Sequence, residues 1–206
     1  MILVDSGQPG RTAEILEQLG RAGLVSAEVR SLVLTHAHFD HTGCAADLAR
    51  RFGCLVLAHS AEVPFIEQTK ALPSRSRATQ TLLWLESRIL PRTQPCRVDR
   101  PLNDGDEIPG SGGYRCAHLP GHTPGSIGVY HPERRILLCG DVLFNRNPLT
   151  GQRGLRYPLP LVCSDVAQSR ESVGKLSRLP LDTLLCGHGD AILHGASEAV
   201  GRLMAA

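Results

Sequence analysis

Four potential metal ligands lie within six residues in the segment THAHFDHT, residues 35–42, directly after a short apolar run. In an extended segment, residues two apart point to the same side, so His36 and His38 can reach one metal ion together. Asp40 and His41 follow where the chain turns into a helix-like run, and they face a different direction. This geometry suits two adjacent metal ions better than one closed tetrahedral site. The competing interpretation is a polar loop whose histidines are satisfied by hydrogen bonds.

Three further loops carry the same residue types. His122 lies in the turn-rich segment LPGHTPG, Asp141 ends the run ILLCGD, and His188 lies in LLCGHG. Each of these residues follows an apolar, strand-like run and is adjacent to a glycine that lets the backbone turn sharply. Four loops at strand ends therefore carry Asp or His, and this repetition is the strongest indication of a metal site in the sequence.

The order HxHxDH, GHTPG, GD and GHG resembles the metallo-β-lactamase superfamily, and within it the hydroxyacylglutathione hydrolase (glyoxalase II) branch. The resemblance extends from residues 2–7 to the region after His188. It implies an α/β fold of the αββα sandwich type, in a single domain over residues 1–206. Family members carry a strand hairpin before the position at which this sequence starts. We therefore expect either a shortened N-terminal sheet or a native start upstream of Met1.

Carried over position by position, the resemblance implies seven metal ligands in two sets. The first ion is bound by His36, His38 and His122, the second by Asp40, His41 and His188, and Asp141 bridges both. Asp5, which follows the first strand, is expected to brace the metal loops. Zinc is the default metal for imidazole and carboxylate ligands, but iron and manganese accept the same set.

Such a ligand set supports hydrolysis without a Ser or Cys nucleophile. Two divalent ions about 3.5–4 Å apart lower the pKa of an intervening water to about 7. The resulting hydroxide attacks a carbonyl carbon, and a metal ion stabilises the oxyanion that develops. Asp40 and Asp141, the expected catalytic residues, help to orient the hydroxide. The predicted function is a binuclear metal-dependent hydrolase that cleaves an ester, thioester or lactone.

Other branches and other classes fit less well. True β-lactamases place Cys or Ser where this chain has Asp141, so antibiotic hydrolysis is not expected. Full-length glyoxalase II enzymes carry a C-terminal helical domain that binds glutathione, whereas this sequence continues for only 18 residues after His188. We therefore expect a short, single-domain, glyoxalase II-like member. The alternatives are a mononuclear iron enzyme like the persulfide dioxygenases, and a non-catalytic binding protein on the same fold.

Substrate choice is expected to depend on two less regular segments, residues 60–95 and 142–162, because the metal loops only deliver hydroxide. Guanidinium groups bind carboxylates through two hydrogen bonds, so the arginines there favour an anionic substrate. The alternative is that they are ordinary solvated loop charges. The candidate substrate contacts are Trp84, Arg146, Arg153, Arg156 and Tyr157.

Composition limits the remaining possibilities. A chain of 206 residues with 42% hydrophobic residues can bury one good core. The net charge of +2 is too small to indicate nucleic acid or a membrane surface as a partner, so a small molecule is expected. Seven cysteines without a C-x-x-C pair indicate reduced thiols in a cytoplasmic protein. No signal peptide or transmembrane run is visible, and a homodimer is left open.

Overall fold

The computed structural model describes residues 1–24, 28–73 and 92–205. The chain divides into two compact units, one formed by Met1–Leu102 with Pro109–Gly112 and the other by Asn103–Ile108 with Gly113–Ala206. Each unit contains a four-stranded sheet. Trp84 and the helix predicted over residues 79–90 lie outside the described residues. The single domain over residues 1–206 stays a prediction.

The sheet of the first unit is parallel throughout. Its strands are β1 (Ile2–Val4), β2 (Ser31–Leu34), β3 (Leu55–His59) and β4 (Arg100–Leu102), in the order β1-β2-β3-β4. All four residues of β2 are buried, as are four of the five residues of β3, which agrees with their nearly continuous apolar sequences. Parallel strands end at the same edge of a sheet, so the segments after β1, β2 and β3 all start from one edge.

Four helices accompany this sheet in the described part of the unit: α1 (Thr12–Arg21), α2 (Phe39–Thr42), α3 (Ala45–Phe52) and α4 (Val63–Ile66). Helix α3 ends as its sequence predicts, at Gly53 in the left-handed conformation. Its buried residues, Ala45 and Leu48, pack in a core with β2 and β3. Ser60 is a candidate N-cap and predicts a helix through Lys70, but this prediction is wrong: α4 is a single turn, and Gln68 has a φ of +55° that no right-handed helix accommodates.

The second unit carries the remaining strands. They are β5 (Arg115–His118), β6 (Ile127–His131), β7 (Ile136–Leu138), β8 (Phe144–Arg146), β9 (Arg153–Arg156) and β10 (Thr183–Leu185). The four-stranded sheet has the order β10-β7-β6-β5, in which β10 is parallel to β7 and the other neighbours are antiparallel. The apolar runs 127–130 and 136–139 flank the turn-like segment 131–134 and predict a hairpin, and the antiparallel pairing of β6 with β7 confirms it. Strands β7 and β10 end side by side, with Leu138 opposite Leu185.

The segment over residues 142–162 is more regular than its composition predicts. Strands β8 and β9 form an antiparallel hairpin there, and a 3₁₀ turn follows at Pro160–Val162. Two helices complete the unit, α5 (Val166–Leu176) and α6 (Ala196–Ala205). Asp165 caps α5 by accepting a hydrogen bond from the Gln168 backbone N–H at 3.0 Å. Among the described helices, none has both the length and the apolar character needed to cross a membrane.

Candidate metal centre

The loop after β2 brings two of the predicted ligands together. His36 Nε2 lies 3.1 Å from His38 Nδ1, and the two rings meet edge to face with centroids 4.8 Å apart. His36 is fully buried and His38 is partly exposed. The expectation that these side chains point to the same side is therefore confirmed. Two imidazole nitrogens this close are suited to binding one ion when both present lone pairs.

Helix α2 carries the other two ligands that follow β2. His41 Nε2 lies 3.9 Å from a carboxylate oxygen of Asp40, and the His41 ring centroid is 4.1 Å from that of His36. The backbone N–H of His41 donates to the carbonyl of His38 at 3.0 Å, which fixes the start of the helical turn. Both halves of the HxHxDH motif thus belong to one polar group at the edge of the first sheet.

Asp5 is the residue that braces this group. Its carboxylate accepts hydrogen bonds from the Thr35 backbone N–H at 2.7 Å and from the Thr35 hydroxyl at 2.8 Å. It also lies 2.7 Å from His41 Nδ1. Asp5 has a φ of +61°, a left-handed conformation that costs free energy in a non-glycine residue. These contacts keep the residue in that conformation, and the bracing role expected for Asp5 has a structural basis.

The same contacts select the imidazole tautomers. Because the Thr35 hydroxyl donates to Asp5, it is an acceptor for His36 Nδ1, which lies 3.0 Å away. A proton on His36 Nδ1 leaves the Nε2 lone pair facing His38. In the same way, the Asp5 carboxylate accepts from His41 Nδ1, which places the lone pair of His41 on Nε2, the nitrogen predicted to be a ligand atom. Carboxylate–imidazole pairs of this kind commonly orient metal-binding histidines.

In the second unit, one carboxylate lies between two histidines. Asp141 Oδ2 is 3.4 Å from His122 Nε2 and 3.3 Å from His188 Nε2. These distances are longer than good hydrogen bonds, which span about 2.7–3.2 Å. They match the separation of about 3.4 Å between two ligands of a tetrahedral ion with bonds of about 2.1 Å. His122 and Asp141 are buried, whereas the His188 side chain keeps 29% of its exposure and leaves one side open.

Local backbone geometry holds each of these three residues. His122 follows Gly121, whose φ is +126°, and the His122 carbonyl accepts from the Ser164 N–H at 2.9 Å. Asp141 lies in a 3₁₀ turn directly after β7, and Gly187 N–H, next to His188, donates to Gly140 at 2.8 Å.

Phe144 forms an apolar wall beside two of these ligands. Its ring is 2% exposed, with its centroid 4.8 Å from that of His188 and 6.3 Å from that of His122. A buried aromatic ring at this position limits the directions that the two imidazoles can take.

The predicted substrate contacts in this unit lie on and after the β8–β9 hairpin. Arg153 is exposed, 3.4 Å from Asp190, and the Arg156 guanidinium bonds mainly to carbonyls of its own hairpin. Arg146 is exposed and donates to the Gly151 carbonyl, while Tyr157 lies under the Arg170 guanidinium at 5.5 Å. Trp84 lies outside the described residues. The substrate-binding roles of these residues stay predictions.

The buried thiol of Cys139, two residues before Asp141, is not suited to nucleophilic catalysis. The Sγ atoms of Cys139 and Cys186 are 3.7 Å apart. The hydrogen bond to Cys186, together with burial, raises the pKa of the Cys139 thiol well above its usual value. A neutral thiol is a poor nucleophile, so this geometry agrees with chemistry in which a bound metal ion supplies the nucleophile.

Two residues near the ligands were missed by sequence reasoning. The sequence signal for Thr35 is its position directly before the first predicted ligand, where its hydroxyl can contact both Asp5 and His36. The carboxylate of Glu62 accepts a hydrogen bond from the Ala37 N–H at 2.7 Å. No sequence pattern connects Glu62 with a residue 25 positions earlier, and the contact follows only from the pairing of β2 with β3.

The donor set fits a divalent transition metal. Within each unit the candidate ligand atoms are imidazole nitrogens and carboxylate oxygens, the ligands that zinc, iron and manganese share. Most of these residues are buried. In the first unit, His36 and His41 each have a hydrogen-bonding partner at Nδ1, so that Nε2 faces the other candidate ligands. Neutral imidazoles and ionised carboxylates close together are stabilised by a bound cation.

Comparison with known proteins agrees with this chemistry. The sequence profile of the metallo-beta-lactamase superfamily matches residues 1–188. The probable metallo-hydrolase MJ0888 of Methanocaldococcus jannaschii is 30% identical over 193 residues, covering 92% of this chain and 82% of that protein. The hydroxyacylglutathione hydrolase GloC of Haemophilus influenzae is 33% identical over 138 residues, 66% of this chain and 59% of that protein. A solved structure of TTHA1623 in a di-iron-bound form aligns with a TM-score of 0.69 at 28% identity, covering 97% of this chain and 86% of its own.

Proposed function

The chain belongs to the metallo-beta-lactamase superfamily and is a metal-dependent hydrolase, and we propose that it uses two metal ions to cleave an ester, thioester or lactone. Its α/β fold is that of the superfamily. The homologues include hydroxyacylglutathione hydrolases, in agreement with the resemblance of the motifs to the glyoxalase II branch.

The observation that carries the binuclear proposal is the position of Asp141 between two histidines. One carboxylate oxygen of Asp141 lies 3.3–3.4 Å from two imidazole nitrogens that belong to different loops. An oxygen that serves two ions has neighbours at this distance on both sides. The family resemblance assigns His122 to one ion and His188 to the other, so one ligand atom of each proposed set lies at ligand separation from the same Asp141 oxygen.

We assign the ligands in two sets, as the family resemblance implies. His36, His38 and His122 would hold one ion, Asp40, His41 and His188 the other, and Asp141 would contribute to both. Zinc is the proposed metal. Iron is the main alternative, supported by the di-iron-bound form of TTHA1623, and manganese accepts the same ligands. When bound, the two ions would acidify a water near neutral pH and polarise the substrate carbonyl.

The side chains of the protein have three tasks in this chemistry. The Asp5 carboxylate holds His41 by its Nδ1 and keeps Nε2 in the ligand position. Thr35 does the same for His36 through its hydroxyl. The carboxylates of Asp40 and Asp141 would accept hydrogen bonds from the attacking water and orient its lone pair toward the carbonyl carbon. No Ser or Cys acts as nucleophile.

The substrate is proposed to be a small, anionic carbonyl compound, with a thioester as the first choice. Support for a thioester comes from the hydroxyacylglutathione hydrolase among the relatives. Support for an anion comes from the exposed arginines of the β8–β9 hairpin, which follows Asp141 directly. The proposal includes one domain over residues 1–206, a cytoplasmic location, and no nucleic acid or membrane partner.

A substrate panel on matched variants tests this function. Thioesters, lactones and acidic esters would be hydrolysed by the purified parent and by Asp141→Ala, Arg153→Ala and Arg156→Ala. We expect Asp141→Ala to lower kcat/KM by about 10²–10³-fold or more, since it removes a main electrostatic contributor to the reaction. The arginine variants should lower kcat/KM about tenfold on anionic substrates and little on neutral ones.

A control arginine separates substrate binding from general charge. Arg134 is exposed in the β6–β7 turn, at the end of β7 opposite Asp141, and Arg134→Ala should leave every kcat/KM unchanged. Wild-type turnover in Asp141→Ala would refute the binuclear mechanism. Unchanged kcat/KM for both hairpin variants on all substrates would assign Arg153 and Arg156 to the solvated surface.

A further inference from the structure

Glu62 is a buried acidic residue that the proposed chemistry does not use. It has no exposed surface, and it lies just before α4 in the first unit. Its Oε2 atom accepts a hydrogen bond from the backbone N–H of Ala37 at 2.7 Å. Burying a carboxylate is costly, so a fully buried one held by a short hydrogen bond needs an explanation.

The Glu62 carboxylate contacts the backbone between the first two predicted ligands. The Ala37 N–H belongs to the peptide that joins Ala37 to His36, and His38 is the next residue. Holding this peptide plane fixes the ψ angle of His36 and the φ angle of Ala37. Those two angles are among the four backbone angles that set how the His36 and His38 side chains are oriented relative to each other. The 3.1 Å approach of His36 Nε2 to His38 Nδ1 therefore depends on this peptide.

The backbone that carries the Glu62 carboxylate is held by hydrogen bonds on both sides. Glu62 N–H donates to the His59 carbonyl at 2.8 Å, and the N–H groups of Phe65 and Ile66 donate to the Glu62 carbonyl at 2.9 and 3.0 Å. Ile66, the last residue of α4, is buried in the core of the first unit and anchors this helical turn. The position of the acceptor is thus tied to the end of β3 and to the core.

Strand order gives this contact a counterpart. Strand β2 lies between β1 and β3, and the loop after β2 is held by one carboxylate that follows each neighbour. Asp5, after β1, accepts from the Thr35 N–H, and Glu62, after β3, accepts from the Ala37 N–H. The HxH segment is therefore supported at two alternate peptides.

We propose that Glu62 is a positioning residue for the metal site, because it fixes the peptide that presents His36 and His38 to one ion. The inference rests on the proposed function, in which these two histidines are ligands. Loss of the acceptor would leave the Ala37 N–H buried and free the peptide to rotate, so the two imidazoles would no longer be held in register. In this role Glu62 acts through the peptide and not as a metal ligand.

The test measures zinc affinity of the folded proteins by competition with a chromophoric chelator, using metal-free protein and zinc ions alone. Supporting groups around metal ligands commonly contribute 10–100-fold in metal affinity, so Glu62→Ala should weaken zinc binding by about this factor. Glu62→Gln keeps a carbonyl oxygen at the same reach and should recover most of the affinity. A residue with a purely structural role would lower the unfolding temperature of the metal-free protein and leave the affinity unchanged.

Glu67 provides the matched control. Its carboxylate also accepts a backbone hydrogen bond, from the Val98 N–H at 3.1 Å, in the same unit and five positions along the chain from Glu62. Glu67→Ala should therefore bind zinc as the parent does. If Glu62→Ala does not fold, Glu62→Asp replaces it, because the shorter side chain withdraws the acceptor from Ala37 with little loss of volume.

The outcomes separate the two proposals. A parent that binds no zinc, iron or manganese would overturn the proposed function and this inference together. A parent that binds two ions, with Glu62→Ala or Glu62→Asp matching its affinity, would overturn the inference alone. Weakened binding in Glu62→Ala or Glu62→Asp, recovery in Glu62→Gln and no change in Glu67→Ala would establish the positioning role.

Discussion

Single carboxylates determine the direction of the imidazole ligands in the first unit. Asp5 contacts Thr35 and His41, and Glu62 contacts Ala37, with all hydrogen-bonding distances at or below 2.8 Å. Neither residue is a metal ligand, yet each restricts which nitrogen or which peptide faces the site. Supporting residues of this kind explain how short loops can hold several histidines within ligand distance.

The buried thiols predict how the stability of the protein changes at alkaline pH. Burial raises the pKa of the Cys116 thiol to about 12 and that of Cys96 to about 11, from an ordinary value of 9.0. The folded protein then holds protons that the unfolded chain releases. The stability contributed by Cys116 is complete below pH 9.0 and is lost progressively as the pH rises toward about 12.

The measurement is the free energy of unfolding by urea between pH 8 and pH 11. Above pH 9.0 each such thiol should lower the free energy of unfolding by up to about 1.4 kcal/mol per pH unit. The free energy of unfolding of Cys116→Ala should therefore fall less steeply with pH than that of the parent, and the difference in slope should be the contribution of one thiol. Identical slopes in parent and variant would mean that Cys116 does not titrate differently in the folded state.

At the residue level, the sequence predicts candidate ligands more readily than the residues that support them. The spacing of His36, His38, Asp40 and His41 is local, so strand and turn geometry predict which can act together. The role of Glu62 depends on a contact across 25 positions, and sequence patterns do not encode such contacts. Asp5 was anticipated through the family resemblance, while its left-handed backbone was not.

Among the elements, the turn that carries His122 has little tolerance for change. Gly121 has a φ of +126°, and a Cβ at this position would lie 2.1 Å from the Ser169 backbone nitrogen in α5. Gly121→Ala must therefore shift either the turn or the helix. We expect a loss of about 2 kcal/mol or more in the free energy of unfolding, together with weaker metal binding through His122.

Gly174 is the control for this substitution, since it lies in the same helix and a Cβ added there would meet no atom within 4 Å. Gly174→Ala should stabilise the protein by about 0.5–1 kcal/mol, because alanine has the better helix propensity. Chemical denaturation and zinc titration of both variants give the comparison. Equal stability for Gly121→Ala and the parent would show that the turn can relax at no cost.

The elements were predicted with uneven success for physical reasons. The β6–β7 hairpin and α3 have strong periodic patterns and clear turn residues, and both occur as predicted. The β8–β9 hairpin was not anticipated, because its strands are short and rich in Arg, Asn and Gly, residues that are poor signals for strands. The helix predicted from Ser60 through Lys70 was too long, since Gln68 adopts a left-handed backbone conformation that the sequence does not reveal.

Across the whole molecule, the profile of the superfamily matches residues from both compact units, and the ligand residues are divided between them. The first unit carries His36, His38, Asp40 and His41, and the second carries His122, Asp141 and His188. The proposed binuclear mechanism requires two ions for each chain, one for each of the two ligand sets assigned under the proposed function.

The most direct test of this account is a titration of metal-free protein with zinc, iron(II) or manganese(II), with thioester hydrolysis as the readout. Activity should be near zero without metal, rise with added ion, and reach its plateau at about two equivalents per chain. Elemental analysis of the plateau sample should find the same number. A plateau at one equivalent, oxygen consumption by a one-iron form, or hydrolysis that is independent of metal would contradict the binuclear mechanism.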